Sequence, residues 1–237
     1  MTCPIHADCE VRVASAPGAA ITGRFITFEG TEGCGKSTQL QLLADRLRVD
    51  GVPVVVLREP GGTPIGEEIR HTLQHSHRNQ AMTPETELLL INASRAQLVR
   101  EIIRPALAQG RVVLCDRFYD STIAYQGHGR GLDLAQVRQV IDFAVGSTHP
   151  HITLLLRVPV QVGEARRQQR PGGATVRDRM EEAGDQFFTA VVEGFDRIAA
   201  ADPDRIRVID ATRSIPEVAA AVWNVVRPDL SGDEQPR

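Results

Sequence analysis

Short apolar runs alternate with helical periodicities along most of the chain. Residues 24–29, 52–57, 111–115, 152–156 and 206–209 are nearly continuous stretches of apolar residues, the pattern of strands buried on both faces. Residues 36–48 carry Leu40, Leu43, Ala44 and Leu47 at spacings of three and four, which predicts an amphipathic helix. A second helix is predicted from Pro64 to about residue 75. A longer one opens at Thr83-Pro84-Glu85, with Thr83 as N-cap and Pro84 at the first helical position; its stripe runs Leu88, Ile91, Arg95, Leu98, Ile102. Arg227-Pro228-Asp229 is expected to stop the last helix. Strands alternating with helices predict an α/β domain, with a mainly parallel sheet covered on both faces. Ligands in such sheets bind beyond the carboxyl ends of the strands, so the residues after each strand carry the interest.

After the first strand comes Gly30-Thr31-Glu32-Gly33-Cys34-Gly35-Lys36-Ser37, which fits G-x-x-x-x-G-K-[ST] at every fixed position. Polyphosphate needs many donors in a small space, and glycines let successive backbone N–H groups turn inward around one oxygen cluster. Lys36 would reach the outer phosphates and Ser37 would hold Mg²⁺, with the N-terminus of the following helix adding its positive end. The strand before and the helix after are the context this motif requires. Gly30, Thr31, Glu32, Gly33, Cys34, Gly35, Lys36, Ser37 and Thr38 are therefore the candidate nucleotide-binding residues, and the expected chemistry is phosphotransfer.

Arg58-Glu59-Pro60-Gly61-Gly62-Thr63 follows the second strand, a turn that brings backbone close to the cleft between two charges. Asp116-Arg117 follows the third; an acid at that point is placed to hold Mg²⁺ as a Walker-B residue does. Arg95 lies on the apolar stripe of its helix, where a guanidinium must be paired or face a cavity. Either a structural salt bridge with Glu59 or Asp116, or bidentate phosphate recognition, satisfies that requirement. Arg166, Arg167, Arg170, Arg177 and Arg179 flank Pro171-Gly172-Gly173-Ala174, a break between two helical patterns. Such a cluster reads as a solvated face or as a closing lid over about 166–180 that supplies an arginine to the moving phosphoryl group.

Length and composition narrow the picture. At 237 residues and 42% hydrophobic, the chain suits one α/β domain. A net charge of -3 gives no bulk reason to expect nucleic-acid or membrane binding. Its four cysteines do not form a disulfide framework, and Cys3, His6 and Cys9 lack a second ligand pair at finger-like spacing, so no structural metal is assigned. There is no signal-peptide core and no run long enough to span a bilayer, which leaves the cytoplasm as the default location. Residues 1–23 are read as a flexible extension, 24–227 as the domain and 228–237 as a polar, disordered tail.

Taken together these segments resemble the bacterial thymidylate kinases, a family of phosphate-loop nucleoside-monophosphate kinases. The matching pieces are residues 28–37 and 58–63, Ser94-Arg95-Ala96-Gln97-Leu98-Val99, Asp116-Arg117, Ser121-Thr122, and Ala124-Tyr125-Gln126-Gly127 with Gly129-Arg130-Gly131. They run in order across about 24–226. The resemblance implies a three-layer fold with a five-stranded parallel sheet and a lid. It implies transfer of the ATP γ-phosphoryl group to dTMP with Mg²⁺, in dTTP synthesis, by a soluble homodimer. Carried over, Glu32 faces the monophosphate site, and Arg95 and Arg117 grip the acceptor phosphate. Ser121, Thr122 and Gln126 lie along base and phosphate, and Tyr125 packs beside the deoxyribose. Arg58, Glu59 and Pro60 line the same site. Because the loop has no arginine, the lid supplies one, Arg166 or Arg170, to act with Lys36, Glu32 and Arg117; Ser37 and Asp116 hold the metal. This chain departs from the family in having Ile91 where a phenylalanine stacks on thymine, and Arg157 where an aspartate follows the fourth strand. A kinase for another nucleoside monophosphate and a phosphate-loop ATPase switch are the competing readings; Arg95 and Arg117, which imply a second anionic ligand, weigh against the switch.

Overall fold

The computed structural model describes residues 23–74, 76, 79, 81–169 and 184–230. Five strands, β1 (Arg24–Glu29), β2 (Val54–Arg58), β3 (Val112–Asp116), β4 (Ile152–Arg157) and β5 (Ile206–Asp210), form one parallel sheet in the order β2-β3-β1-β4-β5. The helices are α1 (Lys36–Val49), α2 (Pro64–Gln74), α3 (Pro84–Leu98), α4 (Arg104–Ala108), α5 (Tyr119–Thr122), α6 (Leu134–Val145), α7 (Val160–Gln168), α8 (Asp185–Ala201) and α9 (Ile215–Leu230).

Because side chains alternate along a strand, β1 feeds two cores. Ile26 and Phe28 meet Leu40, Leu43 and Leu47 of α1 and Val218, Val222 and Val226 of α9. Phe25 faces the other way, into a core shared with Leu98, Val137, Ile141, Val191 and Phe195 of α3, α6 and α8. Thr27, on the second face, is satisfied by Thr153, whose hydroxyl shares a buried cluster with Asp120 and Arg205.

The strands after β1 each run one residue further than their apolar stretches predict. Arg58, Asp116, Arg157 and Asp210 end them, and the ladder pairs Arg58 with Asp116 and Arg157 with Asp210. Charged side chains therefore line the carboxyl edge of the sheet. Arg157 there forms an ion pair with Asp196 of α8 at 2.6 Å, which gives the unexpected arginine a partner.

Pro84 stands at the start of α3 and the Thr83 hydroxyl accepts from Thr86 N, as the capping pattern predicts. The helix continues through a π-helical stretch, Val99–Ile103, into α4, just ahead of Pro105, which has no N–H to offer the ladder. The last helix corrects the sequence reading. It does not stop at residue 227 but includes Pro228 and reaches Leu230, and Arg24 holds that final turn by donating to the Asp229 carbonyl and pairing with its carboxylate. Of the segments read as extension and tail, residues 1–22 and 231–237 lie outside the described residues. No described helix is long and apolar enough to cross a membrane.

Candidate active site

The carboxyl edge of β1, β2 and β3 opens on a cavity of about 290 Å³. Its floor is the loop between β1 and α1. Gly33 there has φ 72°, and a Cβ on it would collide with the Gly163 carbonyl of α7, so the loop takes this path only with glycine. Lys36 begins α1 and curls back over the loop, donating from Nζ to the carbonyls of Gly30 and Thr31 at 3.0 Å each, with Cys34 Sγ at 3.6 Å. Glu32, Gly33, Gly35, Lys36 and Ser37 reach the cavity wall; Gly30, Thr31, Cys34 and Thr38 shape the loop and helix behind it.

Ser37 Oγ donates to Asp116 Oδ2 at 2.7 Å, which joins the start of α1 to the end of β3. No group of three or more His, Cys, Asp or Glu side chains suited to a metal occurs among the described residues. Two hard oxygens beside a phosphate site fit Mg²⁺, which keeps most of its waters and takes its other ligands from substrate phosphate.

Arg117 follows Asp116 in the left-handed region, φ 69°, where a side chain other than glycine is strained. Its backbone N–H donates to the Phe28 carbonyl, and its guanidinium reaches Glu32 Oε1 at 2.5 Å, the Gly30 carbonyl at 3.1 Å and Ser121 Oγ at 3.0 Å. Tyr125 donates its hydroxyl to the other oxygen of Glu32 at 2.8 Å. Burial pushes the Glu32 carboxyl up, but Arg117 and Lys36 outweigh it and hold the group below the usual range. Glu32 is thus an anion at neutral pH, fixed between the loop and the Asp116-Arg117 turn.

Arg95 has the structural partner that its place on the apolar stripe requires. It is 1% exposed, and Nε and Nη2 donate to Glu59 Oε2 at 2.9 and 2.7 Å, so the salt bridge to Glu59 exists. Asn92 Oδ1 accepts from Nη1 at 2.8 Å. Three of the five guanidinium N–H groups are thereby used, and the residue still lines the cavity. Burial raises the Glu59 carboxyl above its ordinary range, and Arg95 draws it back only in part. Arg58 sits on the rim, half-exposed and paired with Glu67, and Pro60 adjoins it. Ile91, Ser121, Thr122, Tyr125 and Gln126 also line the cavity; Tyr125 and Gln126 belong to a π-helical turn, Ile123–Gly129, that continues α5.

Arg166 donates to the Ala211 and Thr212 carbonyls at 2.8 and 3.5 Å and is not on the cavity wall, so it is not brought together with Lys36 and Arg117. Arg170, Arg177 and Arg179 lie outside the described residues.

Sequence reasoning passed over Arg70, Gln74 and Phe118, all on the wall, as well as Asn92 and Glu29. Glu29 ends β1, fully buried, and accepts from Phe118 N at 2.7 Å and Ser121 Oγ at 2.5 Å, so it holds the turn that carries Arg117. Burial and then the nearby Asp120 push its carboxyl up to about 7, against the opposing pull of Ser121 and Arg117. Between pH 4.5 and about 7 the folded state keeps a proton that the unfolded state has lost, so this group's contribution to stability falls as pH rises through that window. Glu29→Gln is expected to remove the slope. The stability of the unmodified protein minus that of the variant should fall by something on the order of 2 kcal/mol between pH 5 and 8 in urea titrations. A difference that is flat with pH, or rises, would contradict the assignment.

Nucleotide phosphate at the loop and a second anion at Arg95 and Arg117 would share one continuous cavity, which is the arrangement of a phosphate-loop kinase. The family model described as thymidylate kinase matches residues 28–222. A thymidylate kinase of Synechococcus sp. (strain JA-2-3B'a(2-13)) is 50% identical over 206 residues, 87% of this chain and 95% of that protein. One from Pseudomonas fluorescens (strain SBW25) is 50% identical over 202 residues, 85% and 94% of the two chains. The crystal structure of thymidylate kinase from Ehrlichia chaffeensis superposes with a TM-score of 0.69 at 36% identity, covering 86% of this chain and 98% of that one. The chain belongs to the thymidylate kinase family.

Proposed function

We propose that this cavity transfers the γ-phosphoryl group of ATP to dTMP, giving dTDP and ADP. One observation carries the reading: a single cavity is lined by the phosphate loop, by Arg95 and Arg117, and by Ile91, Thr122 and Gln126. It therefore brings together groups suited to a donor phosphate, an acceptor phosphate and a base. Phosphoryl transfer needs position and positive charge more than covalent chemistry. Lys36 supplies charge to the donor phosphates, and the remaining N–H groups of Arg95 with the guanidinium of Arg117 hold the acceptor phosphate. Glu32, anchored by Arg117 and Tyr125, lies on the sugar side of that phosphate and keeps Arg117 aimed. Ser37 and Asp116 would hold Mg²⁺, which neutralises charge shared between the donor phosphates. The Tyr125 ring, packed against Phe187 and Phe195, would lie beside the deoxyribose and leave little room for a 2′-hydroxyl. A lid arginine other than Arg166, which is held at the Ala211 and Thr212 carbonyls, would complete the charge around the moving group.

The reaction is assigned to the cytoplasm and to a homodimer. Ile65, Leu89 and Phe143 are exposed on α2, α3 and α6, which pack side by side, and a second copy would cover them.

The test is a coupled ADP-release assay with ATP and Mg²⁺ over dTMP, dUMP, CMP and UMP, with a blank lacking any acceptor. dTMP is expected to give the highest kcat/KM. A preference for CMP or UMP would discard the acceptor assignment while leaving a kinase; release equal to the blank for every acceptor would leave a water-only ATPase.

A further inference from the structure

We propose that Glu87, which does not line the cavity, sets its base preference by fixing which end of the Gln126 amide faces the substrate. The proposal rests on reading the cavity as an acceptor pocket. Glu87 lies in the first turn of α3 and is fully buried, as is Gln126. Gln126 Nε2 donates to Glu87 Oε1 at 2.8 Å. Arg130 grips the same carboxylate, from Nε to Oε1 at 3.2 Å and from Nη2 to Oε2 at 3.1 Å, while its guanidinium lies over the Phe187 ring.

A carboxylate held by a guanidinium only accepts hydrogen bonds, so the end of the Gln126 amide that meets it must be the NH₂. The other end, Oε1, makes no hydrogen bond to a described residue, and Gln126 lines the cavity. An amide carbonyl is therefore presented to the ligand. Thr122 Oγ1, four residues earlier on the same wall, is buried without a hydrogen-bond partner and stands beside it.

A fixed acceptor selects a donor. Thymine and uracil carry N3–H between two carbonyls, so Gln126 Oε1 accepts from N3–H while the Thr122 hydroxyl is free to donate to a flanking carbonyl. Cytosine presents a lone pair at N3 and would meet the carbonyl with repulsion. Turning the amide over would reverse the preference, but it would set Oε1 against the Glu87 carboxylate in a buried site. Glu87 is thus a positioning residue for specificity, acting through Gln126.

The experiment compares kcat/KM for dTMP and dCMP, which share sugar and phosphate, in the unmodified protein and in Glu87→Gln, Glu87→Asp and Arg130→Ala. A glutamine at 87 donates or accepts, so Gln126 is free to turn, and the dTMP-to-dCMP ratio is expected to fall about tenfold or more with little change in the KM for ATP. Glu87→Asp and Arg130→Ala keep an acceptor opposite Gln126 and are expected to preserve the ratio even where they lower both rates. Equal losses for both substrates in Glu87→Gln would overturn the proposal and leave Glu87 a structural residue. With the unmodified protein alone, N3-methyl-dTMP, which lacks the N3–H, is expected to be rejected as strongly as dCMP; its acceptance would overturn the proposal as well. A wild-type ratio near one would instead overturn the acceptor assignment beneath it.

Discussion

Lys36→Ala is expected to lower turnover by about 10³-fold or more while the protein still unfolds cooperatively. The loop between Gly30 and Lys36 contains no other cation: Glu32 is an anion and Cys34 is buried behind the backbone. Charge that develops on the transferring group therefore has Lys36 as its only cationic side chain from the loop itself. The two carbonyl contacts of Nζ would be lost, but the path of the loop is set by the positive φ of Gly33 and by α1, neither of which depends on the ammonium. Single-turnover transfer at saturating dTMP, beside a thermal melt, measures the two effects separately. Wild-type turnover in the variant would remove the loop from the mechanism.

Arg95→Ala is expected to damage both folding and catalysis. It strands Glu59, whose carboxylate is buried with Oε1 already lacking a hydrogen-bond partner, and removing one member of such a pair costs about 3–5 kcal/mol. The same change removes the guanidinium proposed to hold the acceptor phosphate, and the KM for dTMP at saturating ATP is expected to rise. The double change Arg95→Ala with Glu59→Gln separates the effects, because it removes the stranded charge without restoring the guanidinium. Stability should largely return in urea titrations, and the KM should stay high. A normal KM in the double variant would show that Arg95 serves only as a partner for Glu59.

What the sequence disclosed, and what it hid, follows the range of the interactions. The loop, its strand and its helix are contiguous, so glycine spacing and periodicity suffice to read them. Asp116 and Arg117 were legible because they directly follow an apolar run. Glu87 was not, since an acidic residue in the first turn of a helix is ordinary, favoured there by the helix dipole. Only the fold brings Gln126 and Arg130 against it. Glu29 was hidden in the same way: it reads as the polar end of a strand, and its partners Phe118 and Ser121 lie about ninety positions away. The pattern shows that Arg95 needs a partner, but Glu59 and Asp116 are equal candidates in it; only the fold of the turn after β2 brings Glu59 to the guanidinium. Proline is a local stop signal and predicts too short a last helix, whereas the contact that holds its final turn comes from Arg24, more than two hundred positions earlier.

The strand order has a consequence for synthesis. β1 is the first of the described strands to be made, yet its neighbours are β3 and β4, and β4 ends at Arg157, 128 positions after Glu29. At roughly 5–20 residues per second on the ribosome, β1 waits on the order of 6 to 26 s for both its edges to be covered. Phe25, Ile26 and Phe28 are exposed for that time on a segment with a free hydrogen-bonding edge, which is when a nascent chain is most open to chaperones and to mispairing. The phosphate loop hangs from this strand, so the part of the enzyme that leaves the ribosome among the earliest is among the last to acquire its working shape.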